Sequence, residues 1–171
     1  MKISEFCEKL DTHLAARPAG NERYEVAIQA LRQVFHLQPD EVAILTADRE
    51  NDVLRFLWPV KLQKSGTIPI SSRDSLAART FREDKATANN RFAAIYHASI
   101  FEHVKLDPDA VARPQPIQKI LSAPLHGGDG VPSGVIQLSR KGPESNAAGA
   151  DFSREDLAAL MEICKVLSKH L

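Results

Sequence analysis

Two cysteine thiols are the strongest nucleophiles in this sequence, and they lie at Cys7 and Cys164, near opposite ends of the chain. Each is surrounded by apolar residues at helical spacing, which is typical of a cysteine packed in a core. We therefore predict two buried free thiols in a reducing compartment rather than a disulfide. This cysteine usage makes the cytoplasm the expected location of the protein.

The six histidines suggest metal binding, but their spacing does not support it. His97 and His103 are six positions apart, which puts them on different faces of a helix, unlike an i, i+4 chelating pair. His126 and Asp129 are close in sequence, yet two ligands in a loop do not make a metal site. We predict no metal. An enzyme of unrecognised type that uses His97 or His126 remains an alternative.

Motifs for hydrolysis and for phosphate binding are absent from the sequence. No Gly-x-Ser-x-Gly elbow presents a serine nucleophile, and no Gly-rich loop is followed by Lys and Ser or Thr. The stretch Gly127-Gly128-Asp129-Gly130 is typical of a tight turn. A Ser/His/Asp triad stays an open alternative because its members meet only in space. Our prediction is that the chain has no catalytic activity.

Aromatic side chains offer a binding pocket instead of a catalytic site. The candidates are Phe56, Trp58, Phe81, Phe92, Tyr96 and Phe101, and core packing is the alternative for each. Tyr96 and His97 carry polar tips on an apolar stretch, and such tips need partners when they are buried. A bound ligand would supply a partner. Arg91 would meet an anionic group of that ligand, or else be solvated.

Length and charge limit the classes of function. The chain has 171 residues, and its 22 basic residues balance its 22 acidic residues. This length predicts one domain, residues 1–171, with a core that needs no disulfide or metal. Zero net charge gives no long-range attraction to nucleic acid, and no apolar run approaches the ~20 residues of a membrane helix. We predict no nucleic-acid partner and no membrane partner.

Four segments between residues 1 and 106 show the patterns of helices. Ser4 is the predicted cap of a short first helix, which ends before residue 20, and the core of the domain then spans residues 21–171. Asn21 is the predicted cap of a second helix, and Ser72 or Asp74 that of a third. Residues 91–106 also show helical spacing.

Strand patterns fall into two hairpins. The first hairpin pairs residues 41–47 with 53–60, and the closing hairpin pairs 117–126 with 131–141. Residues 66–70 are predicted to be extended, and residues 86–90 form a connector or an edge strand. Residues 142–150 have the composition of a flexible linker.

The last helix has the clearest signals. Ser153 is its predicted cap, and Phe152 is placed to pack on Leu157. One apolar stripe contains Leu157, Leu160, Met161, Cys164, Leu167 and Leu171, and a second contains Ala159, Ile163 and Val166. The first stripe is enough to seat the helix on a sheet. The second predicts a homodimer through the terminal helices, with Ile163 in its interface.

This order of elements predicts an α+β fold, an antiparallel sheet with helices packed on it. The segments 42–45, 68–70, 75–78 and 134–138, with Phe152-Ser153, together resemble GAF domains over most of the chain, from about Tyr24 to Leu171. The resemblance implies a GAF/PAS-like central sheet with the N- and C-terminal helices on one face. It also implies a ligand pocket between the sheet and the middle segment, residues 72–106.

Within that resemblance, two specific activities are disfavoured. Cyclic-nucleotide-binding GAF domains carry an Asn-Lys-x-Phe motif followed by Asp-Glu, and here Asn90-Arg91-Phe92 is followed by Tyr96-His97 instead. GAF-type methionine sulfoxide reductases and bilin-binding domains need cysteines in mid-domain, where this sequence has none. The predicted ligand-binding residues are Phe56, Trp58, Phe81, Asn90, Arg91, Phe92, Tyr96 and His97.

These observations predict a sensory or regulatory domain that binds a small molecule without catalysis. Its signal would pass through the terminal helices or a partner. The alternative is a structural or interaction module whose pocket is filled by its own side chains. The sequence names neither the ligand nor a cofactor.

Overall fold

The computed structural model describes residues 2–94 and 115–171. This part contains a six-stranded antiparallel sheet in the order β3-β2-β1-β6-β5-β4. The helices are α1 (Ile3–Ala15), α2 (Asn21–Phe35), α3 (Leu76–Glu83) and α4 (Arg154–Leu167). The strands are β1 (Val42–Asp48), β2 (Val53–Trp58), β3 (Thr67–Pro69), β4 (Thr87–Asn89), β5 (Ile117–His126) and β6 (Pro132–Lys141). The predicted α+β fold and both hairpins are confirmed.

Alternation along the central strands sends side chains into two separate cores. Ile44 and Ile136 pack with residues of α1, α2 and α4, and we call this side of the sheet the helix face. Leu45 and Val135 point the other way and pack with residues of α3, and we call this side the α3 face. The N-terminal and C-terminal helices therefore share one face, as predicted. Within the described residues, no helix combines the length and apolar character that a membrane crossing needs.

The second apolar stripe of α4 is covered by the chain itself. Ile163 is 0% exposed and lies in the helix-face core, to which α1 contributes Leu10 and Leu14. The prediction that Ile163 lies in a dimer interface is therefore wrong, because α1 packs beside α4 and supplies its cover. Met161, which its spacing assigned to the first apolar stripe, is 47% exposed. The homodimer itself stays a prediction.

The helix starts were predicted correctly only for α4. Ser153 accepts a hydrogen bond from the backbone N–H of Asp156, whose side chain accepts one from the N–H of Ser153. The cap of α3 is Ser75, which accepts from the N–H of Ala78, and not Ser72 or Asp74.

The other two predicted caps are displaced by backbone geometry. Gly20 precedes α2 with a φ of 100°, so the helix already includes Asn21. Lys2 precedes α1, and its carbonyl accepts from the N–H of Phe6, so Ser4 lies inside the first turn.

The connection from β6 to α4 is packed, although its composition suggested a flexible linker. Ala148 is buried, and the N–H of Gly142 donates to the carbonyl of Pro116. Lys119 on β5 is also buried; its Nζ donates to the carbonyl of Gly149 at 2.6 Å and pairs with Asp151 at 2.8 Å. Contacts that are distant in sequence therefore hold this connection in place.

The two central strands approach closely at Gly134. A Cβ atom on this residue would lie 2.3 Å from the carbonyl oxygen of Leu45, which belongs to the backbone of β1. Real side chains do not tolerate such a separation, so one strand would have to shift. Glycine at this position is thus a condition for the β1–β6 pairing.

We expect Gly134→Ala to lower the free energy of unfolding by about 1–3 kcal/mol, because the strands must separate to relieve the contact. Gly128→Ala is the matched control, since a Cβ at Gly128 meets nothing within 4 Å. Urea denaturation of both variants checks the prediction. Equal stability of the two variants would contradict it.

Asp48 closes the turn between β1 and β2. Its carboxylate accepts hydrogen bonds from the side chain and the backbone N–H of Asn51 and from Nε of Arg55. These bonds, led by the one from the Asn51 side chain, lower the pKa of Asp48 to about 2. The folded state therefore prefers the charged form of this carboxyl more than the unfolded state does.

Because the pKa of Asp48 is lower when folded, its stabilising effect is present above the unfolded value of 3.8 and is lost as pH falls through about 2. Asp48→Asn should therefore be less stable than the parent protein at pH 7, and the two should converge between about pH 4 and pH 2. Urea denaturation across this range is the measurement. A stability difference that stays constant with pH would refute the carboxylate's role.

Candidate functional site

Three of the predicted pocket residues come together on the α3 face. Phe56, Phe81 and Phe92 belong to one apolar cluster and are 4%, 7% and 3% exposed. Strand β2, helix α3 and the turn after β4 supply one residue each. The guanidinium of Arg49 lies 5.6 Å from the centre of the Phe81 ring, which brings a positive charge to the border of this cluster.

Trp58 lies on the other side of the sheet. Ile44 pairs with Trp58 and Leu45 pairs with Phe56, so a bulge leaves Leu57 as the extra residue. Leu57 and Trp58 consequently pack against the helix-face core, although strict alternation would put Phe56 and Trp58 on one face. The Nε1 atom of Trp58 is buried without a hydrogen-bond partner among the described residues.

Buried polar groups link α3 to the sheet beside the aromatic cluster. The hydroxyls of Thr80 and Ser122 are 2.7 Å apart, and Nε2 of Gln137 donates to Ser122 Oγ at 3.3 Å. All three residues are less than a tenth exposed. The pairing of Ser122 with Gln137 on adjacent strands brings the two side chains together. The hydrogen bonds hold α3 at one position on the sheet.

This buried polar group was not predicted, although the sequence contains a signal for it. Thr80 lies three residues after Ala77, on the side of α3 predicted to face inward. Ser122 and Gln137 stand in the two strands of the predicted closing hairpin. Polar residues in these three elements indicate a buried hydrogen-bond network. Only the structure shows that Thr80, Ser122 and Gln137 bond to one another.

Asn90 connects the two sides of the molecule. Its Nδ2 donates to the carbonyl of Phe152 at 3.0 Å, and its Oδ1 accepts from the N–H of Phe152 at 2.9 Å. The residue therefore joins the end of β4 to the residue that precedes the cap of α4. Arg91 is exposed beside it, and its backbone N–H donates to Asn89. Tyr96 and His97 lie outside the described residues, as does Phe101.

The thiols lie away from the α3 face. Cys164 is buried in the helix-face core, and burial raises the pKa of its thiol to about 12. Cys7 is only half-buried, so its predicted burial is partial; desolvation raises its pKa as well. Both thiols are free. Within residues 2–94 and 115–171, no group of three or more His, Cys, Asp or Glu side chains could hold a metal ion.

No protein-family model matches the sequence, and no curated protein matches it. Solved structures do match. The GAF domain of an Acinetobacter phosphoenolpyruvate-protein phosphotransferase has a TM-score of 0.72 at 11% identity, over 99% of this chain and 93% of that one. A GAF domain of a phosphoenolpyruvate-protein phosphotransferase from Coxiella burnetii has a TM-score of 0.70 at 12% identity, over 98% and 91%.

An enzyme is also among the matches. A free methionine-R-sulfoxide reductase from Neisseria meningitidis, solved with its substrate, has a TM-score of 0.65 at 16% identity, over 98% of this chain and 87% of that one. At these identities the matches show that the chain has the GAF fold. They confirm the resemblance that the sequence suggested, at the level of the fold.

The two hydrogen bonds between Asn90 and Phe152 predict a structural role for Asn90. We expect Asn90→Ala to lower the free energy of unfolding by about 1–3 kcal/mol, because both backbone groups of Phe152 lose their partner in a buried setting. Arg91→Ala is the neighbouring exposed control and should change stability by no more than about 0.5 kcal/mol. Thermal and urea denaturation measure both. An Asn90→Ala protein as stable as the control would show that the bridge contributes nothing.

Proposed function

We propose that this chain, which has the fold of a GAF domain, is a regulatory domain that binds a small molecule on the α3 face and catalyses no reaction. The observation that carries the proposal is the division of the sheet. One face is occupied by α1, α2 and α4. The other combines an apolar aromatic cluster with the buried polar groups of Thr80, Ser122 and Gln137.

The composition of the α3 face supports ligand binding. Small-molecule sites are mostly apolar and contain a few polar groups that orient the ligand. Phe56, Phe81 and Phe92 supply the apolar part, and Arg49 supplies a cation beside Phe81. Tyr96 and His97 remain predicted ligand contacts.

The cysteines support a function without sulfoxide reduction. That chemistry needs a thiolate to attack the sulfoxide and a second thiol to resolve the intermediate. The sequence has only Cys7 and Cys164, both far from mid-domain in sequence. Cys164 is buried on the helix face, and its pKa of about 12 keeps the thiol protonated at neutral pH.

The sheet and the Asn90 bridge offer a route for a signal. Neighbouring residues of β1 and β6 point into opposite cores. A shift of either strand therefore changes the packing on both faces of the sheet. The Asn90 side chain binds Phe152 just before α4, and Asn90 is two residues before Phe92 of the α3-face cluster. Binding on the α3 face would thus move the terminal helices, whose outer surfaces would carry the output to a partner or a second copy of the chain.

One observation favours the interaction module as a second candidate. Phe56, Phe81 and Phe92 are already almost fully buried by the chain's own residues. In this second candidate, the aromatic cluster of the α3 face is a closed hydrophobic core that admits no ligand. The protein would then act only through its surface, and a cytoplasmic homodimer would be its functional form.

Differential scanning fluorimetry with nucleotides, amino acids and organic acids tests the proposal. A compound at 100 times its dissociation constant adds about 2.7 kcal/mol to stability. For a domain of this size that raises Tm by roughly 5–10 °C. We expect at least one class of compound to do so, and Tyr96→Ala to abolish the shift with little change in the Tm of the unliganded protein.

Tyr24→Ala is the matched control, because Tyr24 is the other tyrosine of the chain and lies on α2. It should leave the compound-induced shift intact. Two results together would refute ligand binding and favour the interaction module. No compound would shift Tm by more than about 1 °C, and native mass spectrometry would show no small molecule bound to the purified protein.

A further inference from the structure

A cavity lies at the edge of the helix face, on the other side of the sheet from the proposed ligand site. It is a half-open cleft with a volume of about 220 Å³, lined by residues from the end of α3, from β5 and from α4. Its apolar wall consists of Ala86, Ala123, Pro124, Met161 and Cys164, and we call it the α4 cavity. Asp84, His126 and Lys165 form its polar border.

Small side chains create this space. Ala123 lies in β5 between Leu121 and Leu125, and all three belong to the helix-face core. Cys164 occupies the corresponding place on α4, between the larger Leu160 and Leu167. Protein cores are otherwise closely packed. The cavity is partly open to solvent, so a guest can enter without disturbing the core.

Met161 forms a wall of the cavity with unusual exposure. It is one of the few large hydrophobic side chains in the described part that are strongly exposed, at 47%. Its neighbours Leu160 and Cys164 on the same helix are buried. A thioether side chain is flexible and adapts to irregular partners. A guest in the cavity would cover this apolar surface, which nothing else in the described chain covers.

The charged residues at the border of the cavity come from different elements. His126 Nε2 and Asp84 Oδ1 are 2.7 Å apart and occupy one side. Lys165 occupies the other side, and its Nζ pairs with Glu162 Oε1 at 2.6 Å on the exposed surface of α4. An exposed pair of this kind contributes little free energy, so a guest carboxylate can compete with Glu162 for Lys165. The guest would be attracted by Lys165 and kept away from Asp84.

We propose that the α4 cavity binds a small monocarboxylate with a short, unbranched apolar chain. The chain lies against Ala86, Ala123 and Met161, and the carboxylate pairs with Lys165 at the mouth. The volume corresponds to about seven water molecules at ~30 Å³ each. It is smaller than the roughly 300–1,000 Å³ of sites for drug-sized ligands, which suits a chain of about six carbons. This site does not depend on the proposed function of the α3 face.

Titration of the ¹⁵N-labelled protein with sodium hexanoate, followed by NMR, tests the proposal. We expect saturable shifts of the backbone amides of Ala86, Ala123 and Lys165. Hexan-1-ol tests the apolar part alone and should bind more weakly at the same residues. Hexylammonium should bind at least about tenfold more weakly than hexanoate, because its charge has the wrong sign for Lys165.

Charge-changing variants test how much Lys165 contributes to hexanoate binding. Lys165→Gln should weaken hexanoate binding about fivefold and leave hexan-1-ol binding unchanged. Glu162→Gln removes the competing carboxylate and should strengthen hexanoate binding. Lys64→Gln changes an exposed lysine outside the cavity wall and should have no effect on either ligand.

Filling the space should remove the site. Ala86→Leu is expected to abolish binding of both probes, and Met161→Glu, at an exposed position that does not threaten folding, should abolish binding of hexanoate. The proposal is overturned if no amide shifts saturably, if shifts are scattered over the surface, or if Lys165→Gln and Met161→Glu bind hexanoate as the parent does.

Discussion

The pairing of β1 with β6 determines where everything else in this molecule lies. These strands occupy the centre of the sheet, and residues 42–45 of β1 and 134–139 of β6 are buried on both sides. Each strand therefore needs two covers. The terminal helices provide one, and α3 with its neighbouring segments provides the other. A strand that is apolar at successive positions is unstable unless both covers are present, so the two faces stabilise one another through the same backbone.

Both covers combine apolar packing with hydrogen bonds. On the helix face, α1, α2 and α4 pack through a large cluster of apolar side chains, and the N–H of His126 on β5 donates to Ser168 Oγ just after α4. On the α3 face, the hydrogen bonds of Thr80, Ser122 and Gln137 fix α3, because sliding would leave buried hydroxyl and amide groups unpaired. We propose ligand recognition on the α3 face, and the helices expected to transmit the signal lie on the helix face.

The strands and α4 could be predicted from the sequence, because each of these elements depends on local signals. Alternating or continuous apolar runs separated by turn residues identified both hairpins, and Ser153 with Asp156 identified the start of α4. Three features depended on distant residues. The bulge that separates Trp58 from Phe56 is set by pairing across the hairpin. Asn90 finds its partner 62 positions later, at Phe152. Ile163 is covered by α1, from the other end of the chain. No local pattern records such contacts.

Gly134 has a consequence for how the chain finds its fold. Strand β6 contains no other glycine, and the carbonyl of Leu45 occupies the space that any Cβ there would need. If β6 slid along β1 in either direction, a residue with a side chain would come opposite that carbonyl and be rejected. The missing side chain therefore acts as a register key. It selects a single alignment for two strands that are about ninety residues apart in the chain, so that no short turn between them sets the register.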